Sequence, residues 1–220
     1  MIKVLITPQG REYQAVCRGA QGSGVKVIPI PMGNPQLKTQ LAQMLTPKDL
    51  EQAILIGLCG SMSEGDLAGD WVVYQSCSSQ NYFEEPHYIN PELTSALLQK
   101  LNQKLDDQAR RVNGVTLEWV VTSVEKKYQI KEDYAAGYVD METYEVLSFA
   151  YPQSIGVVRV VSDNLQRDLP DLNFALDQGK LNPFKLAIAM ISQPINSIFL
   201  IGNSLTALKR LEECTKVLVN

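Results

Sequence analysis

Histidine is almost absent from this sequence, and cysteine is sparse: His87 stands alone, and Cys17, Cys59, Cys77 and Cys214 lie far apart with no C-x-x-C pair. A zinc site needs several such ligands at close spacing, so no structural metal is expected. The four thiols read as small core residues of a protein from a reducing compartment. No basic block exists either. Lys and Arg total 20 against 24 Asp and Glu, a net charge of −4, which argues against nucleic acid or an anionic membrane surface as the main partner. The longest apolar runs, "AILIGLC" and "SIGVVRVV", fall far short of the roughly 20 residues a membrane span requires. The chain opens directly on "IKVLIT" with no apolar leader, so a cytoplasmic protein is expected. Repeats, low-complexity tracts and linkers are missing too, and one domain over 1–220 is the economical reading. Finally, "GAQGSG" does not follow a strand with G-x-G-x-x-G spacing and no Walker sequence occurs, which removes the two commonest nucleotide fingerprints.

What the sequence does contain is alternation. "IKVLIT", "KVIPIPM", "AILIGLCG", "WVVYQSC", "VTLEWVVTS", "YVDM" and "SIGVVRVVS" have the β-branched, apolar character of strands. Between them, helices are expected over Glu12–Arg18, "PQLKTQLAQML", "ELTSALLQKLNQKL", "KKYQIKEDYAAG" and "TYEVLSFA", and the end is helical over "PFKLAIAMIS" and "SIFLIGNSLTALKRLEECTKVL". Strands alternating with helices predict an α/β fold, a three-layer αβα sandwich with a central mixed sheet covered on both faces.

Ligands of open α/β sheets sit at the carboxyl ends of the strands, which directs attention to the residues just past each one. Three carboxylates fall there: Glu12, Glu142 and Asp163. Each also has a plain structural reading. Asp163, between Ser162 and Asn164, suits an Asx-turn. Glu12 and Glu142 suit the first turn of a helix, where the dipole favours an acid. The glycines of "GLCGS", including Gly60, suit close backbone packing.

Taken together, the motifs are more specific than any one of them. "PMGNPQLKTQLAQML", "ILIGLCGSMSEGDLAGDWVVY", "VDMETYEVLSFA" and "VVRVVSDN" occur in the order, and with the glycine turn, Met-Glu pair and Arg-x-x-Ser-Asp, that resemble the nucleoside phosphorylase and nucleosidase family. The length, the "VDME" wording and the C-terminal helix look most like its hopanoid-associated phosphorylases and adenosine-type nucleosidases. The resemblance implies cleavage of the N-glycosidic bond of a purine nucleoside. By that resemblance Asp163 protonates N7 of the base and holds its exocyclic amine, with Ser162 in support. Glu142 holds the ribose hydroxyls, Met141 packs on the sugar, and Gly60, Thr122 and Ser123 line the base pocket. An aspartate rather than an asparagine at 163 implies adenine.

For the nucleophile the resemblance leaves two routes. Glu12 matches the glutamate that positions water in the nucleosidases. The arginine and serine that grip phosphate in the phosphorylases are matched by Leu55 and Leu58, so phosphate, the one candidate co-substrate, would need another anion site built from Gly10, Arg11 and Gly33. No organic cofactor is implied. A homo-oligomer is expected from the family, and His87 reads as a surface residue or a contact to the 5′-substituent. The competing reading is a catalytically inactive nucleoside-binding homologue, motivated by Leu55, Leu58 and by Val124, which stands where the family carries an aspartate.

Overall fold

In the computed structural model, residues 2–33, 37–81, 83–104, 108–170, 172–173, 176–177, 180–181, 188 and 190–220 are described. The apolar run Val4–Pro8 (β1) lies between two parallel neighbours, Lys26–Ile30 (β2) and Ala53–Ser61 (β3). Next to β3 in parallel runs Gly156–Asp163 (β8), which pairs on its other side, antiparallel, with Trp71–Ser79 (β4). Strand β4 also pairs in parallel with Arg110–Thr116 (β6) and antiparallel with the two-residue His87–Tyr88 (β5). Tyr138–Asp140 (β7) lies parallel to β6 and returns antiparallel to the end of β3, at Gly60↔Val139 and Ser61↔Tyr138. The eight-stranded mixed sheet therefore curls until β7 meets β3. An irregularity at Cys59 and Gly60 of β3 supplies the bend, as bulges do in strongly twisted sheets. Leu176–Asp177 (β9) and Lys180–Leu181 (β10) form a separate hairpin.

Period-two alternation along the strands builds the layers. Leu5, Ile54, Ile56, Val158 and Val160 point to one face. There they meet Ala15 and Val16 of helix Arg11–Gly19 (α1), Leu97 and Leu101 of Pro91–Lys104 (α4), and Ala207 and Leu211 of the long C-terminal helix Pro194–Val219 (α7). Ile6, Leu55, Val157 and Val161 point the other way, against Leu37 and Leu41 of Leu37–Met44 (α2), Leu50 of Pro47–Leu50 (α3), and Val146 and Leu147 of Thr143–Ala150 (α6). Val124–Tyr134 (α5) packs through Ile130 against a third, smaller cluster with Val115, Leu117, Val121 and Val139.

The layered α/β architecture with a mixed sheet is the one expected from alternation. Two local features differ from the sequence reading. The strand expected over "VTLEWVVTS" begins earlier, at Arg110, and ends at Thr116. Its polar first half, Arg110–Asn113, is carried by parallel pairing with β4, so ladder hydrogen bonds override poor strand character. Strand β5, inside the aromatic loop, was too short to read. The helix expected over "PFKLAIAMIS" falls largely outside the described residues, although Ile188 and Met190–Ser192 are helical. Among the described residues no helix is long and apolar enough to cross a membrane.

Helices α1 and α7 touch closely because Gly19 has no side chain. A Cβ there would lie 2.5 Å from the Glu212 carbonyl oxygen and 2.6 Å from Thr215 Cβ. Neither atom is the free end of a flexible chain, so a methyl group forces the two helices apart. Gly19→Ala is expected to destabilise the protein by about 1–3 kcal/mol, as overpacked interiors do, read as a lower urea midpoint; an unchanged midpoint would contradict this packing.

Candidate active site

The ends of β3, β7 and β8, with the start of α1, surround a cavity of about 170 Å³. Four carboxylates reach it, Glu12, Asp140, Glu142 and Asp163. The remaining wall is mostly apolar, made by Met32, Leu58, Val120, Met141 and the ring of Trp119. So many acids in one small space need compensation.

Much of it comes from Arg159, which is fully buried in the middle of β8. Its guanidinium lies 3.4 Å from Asp140 Oδ2 and 3.5 Å from Glu142 Oε2, and donates to Thr143 Oγ1 at 2.7 Å and to the Leu58 carbonyl at 3.4 Å. Burial by itself would loosen the proton of Arg159, but Asp140 and Glu142 outweigh it and the net displacement is upward. Space for the group is made by Gly57. A Cβ at that position would sit 2.6 Å from both Arg159 Nη1 and Glu12 Oε2, so any larger residue would displace the charges.

Asp140 is the organiser of the turn into α6. Its Oδ1 accepts from the backbone N–H groups of Glu142 (3.1 Å) and Thr143 (2.9 Å) and from Thr116 Oγ1 (2.8 Å), while Oδ2 accepts from Thr143 Oγ1 at 2.5 Å. That Asx-type cap satisfies helix-start donors and aims Glu142 into the cavity. Burial pushes the Glu142 carboxyl up to about 8, against the pull of Arg159 and with the help of Asp140 and Glu12. Glu12, on the first turn of α1, accepts from the Leu58 N–H at 2.7 Å. Burial raises its carboxyl to about 7, opposed by that hydrogen bond and by Arg159.

Asp163 occupies the opposite wall. Lys127 Nζ, on α5 and 1 % exposed, contacts its Oδ1 and donates to the Asn164 carbonyl at 3.0 Å. Ser162 Oγ lies 3.0 Å from Asp163 Oδ2 and 3.1 Å from the Cys59 carbonyl. The sequence reading placed Ser162 beside Asp163, and it is there; it did not identify Lys127.

Of the sequence-derived candidates, Glu12, Gly60, Met141, Glu142, Ser162 and Asp163 share the cavity. Thr122 and Ser123 are not part of its lining. The Thr122 carbonyl accepts from the Leu169 N–H at 2.7 Å, and Ser123 caps α5 by accepting from the Lys126 N–H at 3.2 Å. Gly33, at φ 52°, lies under Met141, where a Cβ would be 2.4 Å from Met141 Cε. Gly10, at φ 89°, and Arg11 are exposed at the start of α1 and outside the lining. Leu55 is buried in the sheet core, whereas Leu58 faces the cavity. His87 stacks on Tyr144 with ring centroids 4.7 Å apart, and partial burial, with Lys38 nearby, lowers its pKa. Among the described residues no cluster of His, Cys, Asp and Glu could hold a metal ion.

Residues 5–192 match the model of the phosphorylase superfamily. No curated protein matches. Among solved structures, Helicobacter pylori MTAN with 5′-methylthioadenosine in its active site is similar, with a TM-score of 0.68 at 14% identity over 97% of this chain and 98% of that one. Futalosine hydrolase of Helicobacter pylori gives 0.69 at 14% over 97% of each chain. The 5′-methylthioadenosine/S-adenosyl homocysteine nucleosidase of Campylobacter jejuni gives 0.65 at 14% over 97% and 100%.

The raised carboxyls make stability depend on pH. Between the ordinary value of 4.5 and the native values of about 7 and about 8, the folded protein holds protons that the unfolded chain has released. Stabilisation is therefore full at low pH and lost as pH rises through that window, at up to about 1.4 kcal/mol per pH unit for each group. Glu142→Gln should flatten the decline of the urea midpoint between pH 5 and pH 8. A variant with the same or a steeper decline would contradict the assignment.

Proposed function

Because the chain belongs to the phosphorylase superfamily, we propose that it hydrolyses the N-glycosidic bond of a purine nucleoside, adenine being the base. The observation that carries this reading is the convergence of Glu12, Glu142 and Asp163, from three separate strand ends, on one cavity. Glycosidic cleavage passes through a sugar with oxocarbenium character, which needs negative charge beside the ring and a proton for the departing base. Glu142 holds the ribose hydroxyls and, in its ionised form, faces the developing charge. Met141 covers the sugar, and Trp119 and Val120 offer the base an apolar wall. Asp163 accepts from the exocyclic amine and passes a proton to N7. Glu12 takes the proton from the attacking water as the C1′–N9 electron pair moves to the base.

Water rather than phosphate is the acceptor that suits these surroundings. The cavity presents carboxylates and the side chain of Leu58. Arg159 is committed to Asp140, Glu142 and Thr143, and Arg11 lies outside the lining. Among the described residues of the lining, a phosphate dianion would meet like charge without a free cation to hold it. A carboxyl titrating at about 7 is, by contrast, well matched to general-base work near neutrality. The convergence of three carboxylates on one cavity favours the enzyme over the inactive-homologue reading.

Glu12→Gln is expected to reduce kcat for adenine release from adenosine by about 10²–10⁴ with little change in KM. In the wild type, kcat should fall as pH drops below about 7 because Glu12 becomes protonated. Equal rates for the variant and the wild type, or a rate that rises with acid, would refute the water-activating role.

A further inference from the structure

Lys127 is a buried cation that the reaction as described leaves without a task. Its side chain is 1 % exposed and ends on Asp163 Oδ1 and the Asn164 carbonyl. Both acceptors are themselves fixed. Asn164 donates through Nδ2 to the Asp66 carbonyl at 2.7 Å, and Ser162 Oγ stands 3.0 Å from Asp163 Oδ2. Asp163 reaches the cavity past Gly60, where a Cβ would lie 3.0 Å from Oδ1, the oxygen Lys127 contacts, and 3.3 Å from Oδ2. Lys127 itself does not line the cavity, so anything it does for a substrate goes through Asp163.

The pairing changes what Asp163 can do. A carboxylate in an ion pair is acceptor-only. It can receive hydrogen bonds from an exocyclic amine, but it has no proton of its own for the ring nitrogen of a leaving base. The nearest acidic hydrogen is on Lys127 Nζ. A lysine can surrender a proton in a buried site, whereas an arginine cannot. We propose, resting on the glycosidase reading above, that Lys127 is a positioning residue that supplies, through Asp163, the proton taken up by the departing base.

An Nζ–H bond of Lys127 breaks and its proton passes to Asp163, whose proton goes to N7. The C1′–N9 bond breaks with its electron pair moving onto the base. Water forms the new C1′–O bond and gives its proton to Glu12, from which a proton returns across the cavity to Asp163 and through it to neutral Lys127. The pair thus ends each cycle as it began, with no further reactant consumed. A consequence for specificity follows: the pair presents the base with an acceptor and a relayed proton, which fits a purine carrying an amine beside a basic N7.

The test compares two substrates on Lys127→Arg and Lys127→Met. Adenosine needs a proton on its leaving group; 4-nitrophenyl β-D-ribofuranoside releases a stable anion and needs none. Lys127→Arg keeps the positive charge on Asp163 but not the transferable proton. Lys127→Arg is expected to lose about 100-fold or more in kcat on adenosine while remaining within about threefold of the wild type on the nitrophenyl riboside; Lys127→Met, which removes the cation that keeps Asp163 ionised, is expected to lose less on adenosine than Lys127→Arg. Retained nitrophenyl cleavage also shows that the site is still assembled. Recovery of adenosine hydrolysis by Lys127→Arg, or parallel loss on both substrates, would overturn the proposal and leave Lys127 as a structural ion-pair partner, with the glycosidase reading intact. A wild-type protein that cleaves neither substrate would overturn the glycosidase reading itself, and the relay with it.

Discussion

A guanidinium in the middle of a sheet is the constraint around which the rest of the molecule is arranged. Arg159 sits at the centre of β8, opposite Gly57 of β3 on one side and Val72 of β4 on the other. A charge so placed is tolerated only with partners, and the partners are the residues that make the cavity: Asp140, Glu142 and, across the space left by Gly57, Glu12. Removing Arg159 would leave these carboxylates uncompensated in a buried site, at a cost of about 3–5 kcal/mol by analogy with other broken buried pairs. The same contacts tie β8 to the turn into α6, so the sheet and the acids are positioned by one group.

Charge is handled differently on the two walls. On the Glu12 and Glu142 side, one cation faces three carboxylates, and burial raises two of them toward neutrality, to about 7 and about 8. On the Asp163 side, one ammonium faces one carboxylate. The first wall can take up a proton in the physiological range, and the second is a closed ion pair. Two acids kept apart by their surroundings is the usual way a single pocket carries both base and acid functions.

The curl of the sheet makes this possible. With a flat sheet, β7 would not return to β3, and Asp140 would end far from Gly60. The irregularity at Cys59 and Gly60 lets β3 pair with β8 along most of its length and with β7 at its tip. Glu142, carried just past β7, then faces Asp163, carried at the end of β8.

Much of this was legible in the sequence because it lies in the strand ends. Apolar runs that stop on Glu142 and Asp163 announce themselves, and α1 begins beside Glu12. The α/β alternation was readable for the same reason. What escaped was information held in tertiary pairing. Lys127 sits in "VEKKYQIKEDY", which reads as a solvated helix, and only the i, i+3, i+7 spacing of Lys127, Ile130 and Tyr134 hints that a lysine occupies the inward face. Asp140 reads only as the end of the strand "YVDM", and its four hydrogen bonds become visible only when β6 and α6 are in place. Thr122 and Ser123, which the resemblance assigns to the base pocket, make a loop contact and a helix cap and lie outside the cavity lining. The early start of β6 depends on its partner strand, which no local propensity encodes. The choice between water and phosphate is the claim on which the chemistry turns, and phosphorus NMR of the protein turning over adenosine in phosphate buffer tests it most directly. The account predicts free ribose and adenine with an unchanged phosphate resonance; a growing ribose 1-phosphate signal would contradict it.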